Sequence, residues 1–118
     1  MARLTTHVLD TANGCPAAGM AVRLFRIGVD GAAEPLASVM LNDDGRADAP
    51  LLDATSFRPG RYRLVFEVAA YFRGRGAVLQ EPPFLDKVPV DFGLAAAEQH
   101  YHVPLLASPW AYSTYRGS

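Results

Sequence analysis

The chain is poor in the features that mark many functional classes. It has a single cysteine, Cys15, so no disulfide can form within the chain, which fits a reducing compartment. Its first residues, "MARLTTHVLD", hold no apolar run of the length a signal peptide or a membrane-spanning helix needs. The expectation is a cytoplasmic protein without a membrane partner. Neither sign of charge dominates: 11 basic and 12 acidic residues leave a net charge of -1. That removes the electrostatic footprint of a nucleic-acid-binding protein. There is no Gly-x-Ser-x-Gly elbow and no glycine-rich phosphate loop opening a helix. Cys15 sits in a Gly/Pro turn with no obvious base beside it. An enzyme built from this sequence would therefore use histidine and arginine to activate water rather than form a covalent intermediate.

What the chain does have is apolar content and short alternation. Half of its 118 residues are hydrophobic, enough for one core and one domain, 1–118. Runs such as "LTTHVLDT", "MAVRLFRI", "PLASVMLN", "RYRLVFEV", "VPVDFGL", "HYHVPLLA" and "WAYSTYRG" read as strands between turn signals. "ANGCPAAG" reads as a turn, and "DDGRADAP" as a turn leading into a further short strand. "AAYFRGRG" is the one place for a short helix, ended by Gly74 and Gly76. The fold class is all-β, a two-sheet sandwich of about eight strands with one short helix. Pro89 and Pro104 fall inside strand candidates, where proline suits edges or bulges.

Alternation puts Leu4, Thr6 and Val8 on one face of the first strand and Thr5, His7 and Leu9 on the other. In "HYHVPLL", Tyr101, Val103 and Leu105 should face the core. His100, His102, Pro104 and Leu106 should face outward. On the last strand Tyr112 and Thr114 are expected to face the core, with Ser113, Tyr115 and Gly117 opposite. An outward face that mixes histidine with apolar side chains suggests a second buried environment, such as a subunit interface. Solvated surface histidines are the plain alternative. His7, His100 and His102 can also ligate zinc, but no carboxylate or cysteine is spaced to complete a set. No metal is required, and any zinc there would be adventitious.

Three stretches carry a family resemblance: "LTTHVLDTANGCPAAGM", "DDGRAD" and "HYHVPLLASPWAYSTYRGS". They resemble the transthyretin-like 5-hydroxyisourate hydrolases, and the ending "YSTYRGS" is the most specific part of the match. The resemblance implies a transthyretin-like sandwich assembled as a homotetramer, a dimer of dimers, with two channels between the dimers. In the hydrolases those channels hold the active sites; in transthyretin they bind thyroid hormone. The implied substrate is 5-hydroxyisourate, in urate degradation, with no cofactor.

The same resemblance nominates His7, Arg46, His102, Tyr115 and Ser118 for catalysis. The hormone carrier has lysine, glutamate and threonine at the first three of these positions. Ser113 and Arg116 join His7, Arg46 and Tyr115 as substrate contacts, with Tyr115 expected to floor the pocket. His100 stands beside them as a metal-capable neighbour. Ala107 and Trp110 depart from the commoner family residues but lie outside the matched set. A non-catalytic carrier of a small aromatic ligand is the alternative function.

Overall fold

The computed structural model describes residues 2–117. In chain order its elements are β1 (Arg3–Asp10), β2 (Cys15–Pro16), β3 (Ala21–Ile27), β4 (Ala33–Met40), β5 (Gly60–Glu67), α1 (Val68–Gly74), β6 (Lys87–Leu94), β7 (His100–Ala107) and β8 (Tyr112–Thr114). They form two four-stranded sheets, ordered β2-β1-β7-β8 and β4-β3-β5-β6. This is the all-β sandwich with one short helix that the alternation implies. The short strand expected after "DDGRADAP" is absent; that segment makes only single bridges to β1, Leu4 with Leu52 and His7 with Arg46. The expected "ANGCPAAG" turn contains the two-residue β2.

Apolar residues at every second position build the core. Leu4 and Val8 of β1, Val22 and Leu24 of β3, Leu64 and Phe66 of β5 and Leu105 of β7 are essentially inaccessible to solvent. Burial of this surface is the main force holding the two sheets face to face. Two polar side chains lie among them, each satisfied. Thr6 Oγ1 donates to the Val103 carbonyl at 2.7 Å. The Asp10 carboxylate accepts from the Asn13 backbone N–H, the Asn13 side-chain amide and the Tyr71 hydroxyl. Tyr71 lies on α1, so this carboxylate ties the helix to the end of β1. Burial works to raise the Asp10 pKa, but these donors together hold it below the usual carboxylate range. Burial and the neighbouring Asp10 carboxylate push the Tyr71 phenol up.

β1 and β7 pair in parallel, setting Arg3 opposite His100, Thr5 opposite His102 and His7 opposite Pro104. The second proline, Pro89, lies on the edge strand β6, where the missing N–H is harmless. Pro104 does not: β7 is an inner strand, and Pro104 is buried. The sheet tolerates it because the ladder to β8 is broken there. β8 pairs Tyr112, Ser113 and Thr114 with Ala107, Leu106 and Leu105. The same register resumes as a single bridge between Gly117 and His102. Continued through the gap, that register would set Tyr115 against Pro104, which has no N–H to give. The Pro104 carbonyl instead accepts from Thr114 Oγ1 at 2.7 Å.

β8 is consequently shorter than "WAYSTYRG" suggests. Tyr112 and Thr114 lie on the core side of the sheet, opposite Ala107 and Leu105, yet are exposed. The sandwich gapes at this edge, where a hollow of about 180 Å³ opens between β6 and the chain end, lined by Val90, Tyr101, Val103, Thr114 and Tyr115 among others.

Candidate active site

The outer face of the β1–β7 pair carries the histidines. His7, His100 and His102 are each half-buried. Two irregular segments complete this face, one from each side.

The first is the turn at 42–46. Its geometry is set by Asn42, whose side-chain oxygen accepts from the backbone N–H groups of Asp44 and Arg46. The Asn42 amide donates to Asp48 at 3.0 Å. The Gly45 carbonyl accepts from Val8 N–H at 2.9 Å, docking the turn on the free edge of β1. Glycine is required here twice over. Its φ is +73°, and an added Cβ would lie 2.5 Å from the Val8 carbonyl oxygen, a backbone atom that cannot swing away. With the turn held so close, the next residue, Arg46, bridges directly to His7. That is the structural content of the "DGR" motif.

The second segment is the chain end. Gly117 N–H donates to the His102 carbonyl at 2.7 Å. On the other side of His102, the Thr5 hydroxyl meets the ring Nδ1 at 2.8 Å. Arg3, Thr5, Arg46, Asp48, His100 and His102 are among the residues lining a hollow of about 360 Å³. Neither His7 nor the chain end lines it; His7 stands at its margin, beside Arg46.

Electrostatics favour the neutral forms of His7 and His102. Partial burial, then the Arg46 guanidinium, hold His7 below the ordinary value of 6.5, against an opposing pull from the Asp44 backbone carbonyl. Partial burial, Arg46, His7 and His100 lower His102 in the same way. A neutral imidazole near pH 7 has a lone pair ready to take a proton from water. The exposed arginine adds a planar fork of donors.

The nominated residues do not all gather. His7, Arg46 and His102 share one neighbourhood. Tyr115 is 60% exposed and lines the gaping edge of the sandwich rather than the histidine hollow. Ser113 pairs with Leu106 on exposed β8, outside the hollow. Arg116 turns to the opposite side of the sheet. Its guanidinium lies 4.1 Å from the ring centroid of the core-facing Tyr101 and donates to Gln99. Strand alternation itself puts Arg116 on the face of Tyr112 and Thr114, opposite Tyr115 and Gly117; only the resemblance nominated it as a substrate contact. Ser118 lies outside the described residues. The three histidines form no metal-holding group among the described residues. His100 and His102 stand side by side, with ring centroids 6.5 Å apart, and the Nδ1 of each is engaged, by Arg3 and Thr5 respectively.

Two residues of the site were not singled out from sequence. Thr5 shares the His7 face by alternation, but its contact with His102 depends on a parallel pairing across the whole chain. Asn42 carries a readable signal, an asparagine opening a turn that ends in glycine.

The model of the HIUase/Transthyretin family matches residues 4–117. The chain belongs to this family. Within it, the chain is 56% identical over 119 residues to the 5-hydroxyisourate hydrolase of Pseudomonas aeruginosa, spanning all of this chain and 93% of that one. The structure of Klebsiella pneumoniae 5-hydroxyisourate hydrolase overlays with a TM-score of 0.81 at 37% identity, covering both chains completely. Sea bream transthyretin, solved in complex with thyroxine, overlays with a TM-score of 0.85 at 29% identity, over 98% of this chain and 94% of that one. The same fold thus carries a hydrolase name in one solved structure and a bound thyroxine in another, so the fold alone does not fix the function.

Proposed function

We infer that this chain is a hydrolase that opens 5-hydroxyisourate to 2-oxo-4-hydroxy-4-carboxy-5-ureidoimidazoline. The observation that carries this reading is the placement of Arg46 against His7, on a face shared with His102, in a chain 56% identical to a hydrolase of that name. His7, Arg46 and His102 are assigned to the chemistry. One of the two histidines takes a proton from water as the water oxygen attacks the ring lactam carbonyl. The ring C–N bond then breaks, and the proton passes to the departing nitrogen. The carbonyl oxygen gains charge on the way, and Arg46 offers it a fork of donors. Held in their neutral forms, both histidines can accept that proton near pH 7. The mechanism needs no cofactor, and positioned acid–base groups of this kind contribute roughly 10²–10⁴-fold.

The finer features of the proposal concern the assembly and the chain end. Leu9, Trp110, Tyr112 and Tyr115 are large and exposed, as expected of surfaces covered in a homotetramer. Tyr115 and Ser118 would then complete the substrate pocket together with a neighbouring subunit. Residues 1–118 are taken as one hydrolase domain. Among the described residues no helix is long and apolar enough to cross a membrane, and a cytoplasmic location is proposed from the N-terminal sequence.

The test is to add the purified chain to urate and urate oxidase and follow the transient intermediate by absorbance and circular dichroism. Faster, stereoselective decay is expected. Decay at the spontaneous rate would refute the hydrolase reading. Sedimentation at micromolar concentration tests the tetramer, and cell fractionation tests the location.

A further inference from the structure

We propose that Thr5 and Gly117 are positioning residues that clamp the His102 imidazole from its two sides and leave Nε2 as its working nitrogen. The proposal rests on the hydrolase reading for its consequence in turnover, but the clamp itself is a matter of geometry.

Within an imidazole, Nδ1 and Cδ2 are both bonded to Cγ, and Cε1 and Nε2 form the free end. Thr5 occupies the Nδ1 side, with its hydroxyl at 2.8 Å. The parallel register sets Thr5 directly opposite His102, and a β-branched residue has few χ1 choices, so the hydroxyl is a stiff contact. It also prevents Nδ1 from serving as the nitrogen that meets substrate or water.

Gly117 occupies the Cδ2 side. Its N–H is fixed to the His102 carbonyl at 2.7 Å. A Cβ added to Gly117 would lie 2.6 Å from His102 Cδ2, 3.3 Å from Cγ and 3.4 Å from Cβ. Unlike Gly45, Gly117 has no positive φ that would itself require glycine. The demand comes from the imidazole alone: any larger residue must move the ring. Glycine at 117 is thereby a gauge for the position of His102. With one side bonded and the other filled, the free Cε1–Nε2 end belongs to the hollow that His102 lines with Arg46.

The test uses the full chain with Thr5→Val, Thr5→Ser, Gly117→Ala and, as a control, Gly74→Ala, whose added Cβ meets nothing within 4 Å. Thermal melts and sedimentation establish that each variant is folded. Expected are a fall in kcat of about 10²-fold for G117A and about tenfold for T5V. KM should change little, T5S should recover most of the loss, and G74A should match the parent. With three histidines in the chain, ¹⁵N-histidine NMR reads the clamp directly. T5V should move the His102 Nδ1 and Nε2 shifts toward a tautomer average, and G117A should move the His102 ring signals more than those of His7.

Unchanged His102 signals in T5V and G117A would overturn the clamp whether or not the chain turns over 5-hydroxyisourate. A parent protein without turnover would instead sink the hydrolase reading. The choice of Nε2 is tested by H102Q against H102N, because glutamine carries its terminal polar atoms near the place of Nε2 and asparagine near that of Nδ1. H102Q should retain more activity, and the reverse order would overturn the assignment.

Discussion

The β1–β7 pair is finished on its two sides by segments that solve the same problem differently. On the β1 side, the turn at 42–46 is held by the Asn42 side chain and by the bond from Val8 N–H to the Gly45 carbonyl. On the β7 side, the chain end is held by three paired residues, then a gap at Pro104, then one backbone bond at Gly117. Both segments reach the sheet through a glycine that leaves no room for a Cβ. The turn is over-determined and places a cation; the tail is sparsely held and borders a ring. Stability should therefore depend on the first, and turnover on both.

The largest expected effect comes from Gly45→Ala, which combines a positive φ with a backbone clash. It should cost at least about 2 kcal/mol of stability and remove Arg46 from His7, so both the melting temperature and hydrolysis should drop. A G45A protein with parental melt and rate would show that the turn is not held as described. Deleting 115–118 should separate the two quantities. Hydrolysis should fall at least about 10²-fold, while the melt changes little, because the removed residues contribute little to the core. Full activity in a folded truncated protein would show the tail to be dispensable.

A smaller effect concerns pH. His7 and His102 titrate below 6.5 when folded, through partial burial and then Arg46. The unfolded chain binds protons first as pH falls, so their contribution to stability is lost on going below about 6.5 toward the folded pKa. The acidic limb of the rate profile lies in the same range. Arg46→Gln removes a cation that opposes protonation, so the histidine pKa values and that limb should move to higher pH. Histidine titration by NMR checks this independently of turnover, and an unmoved or downward pKa would contradict it. Asn42→Ala should have the smallest effect, a loss of about tenfold or less in activity read as kcat at saturating substrate, because the Gly45 backbone bond still holds the turn. A loss as large as that of G45A would transfer control of the turn from the glycine to the asparagine.

Most of the sandwich is legible in the sequence because strand alternation is local. Leu4, Thr6 and Val8 turn inward and Thr5 and His7 outward as period 2 requires. The "DGR" motif and the histidine pair are legible as types, and family resemblance supplies their roles. Three features are not legible, and each is non-local. Pro104 reads as an edge residue, yet it lies on an inner strand because the neighbouring ladder is interrupted. Arg116 reads as a site residue through the resemblance alone, yet on the core side, where alternation puts it, its cation finds the Tyr101 ring. Thr5 reads as an ordinary outward residue, and only the pairing with β7 brings its hydroxyl to His102.

The parallel pairing also bears on how the molecule is made. β3, β4, β5 and β6 follow one another along the chain, and their pairings close comparatively short loops. The Thr5–His102 contact joins residues 97 apart, a closure with a higher entropic cost and a later reward. During synthesis, β1 leaves the ribosome early and has no β7 to pair with until nearly the whole chain has followed. The second sheet can assemble while the first waits, with Leu4 and Val8 kept from water only by provisional contacts. The nascent chain is thus most vulnerable to aggregation just before its final strands emerge, and those strands complete the first sheet and its histidine-bearing face in the same step.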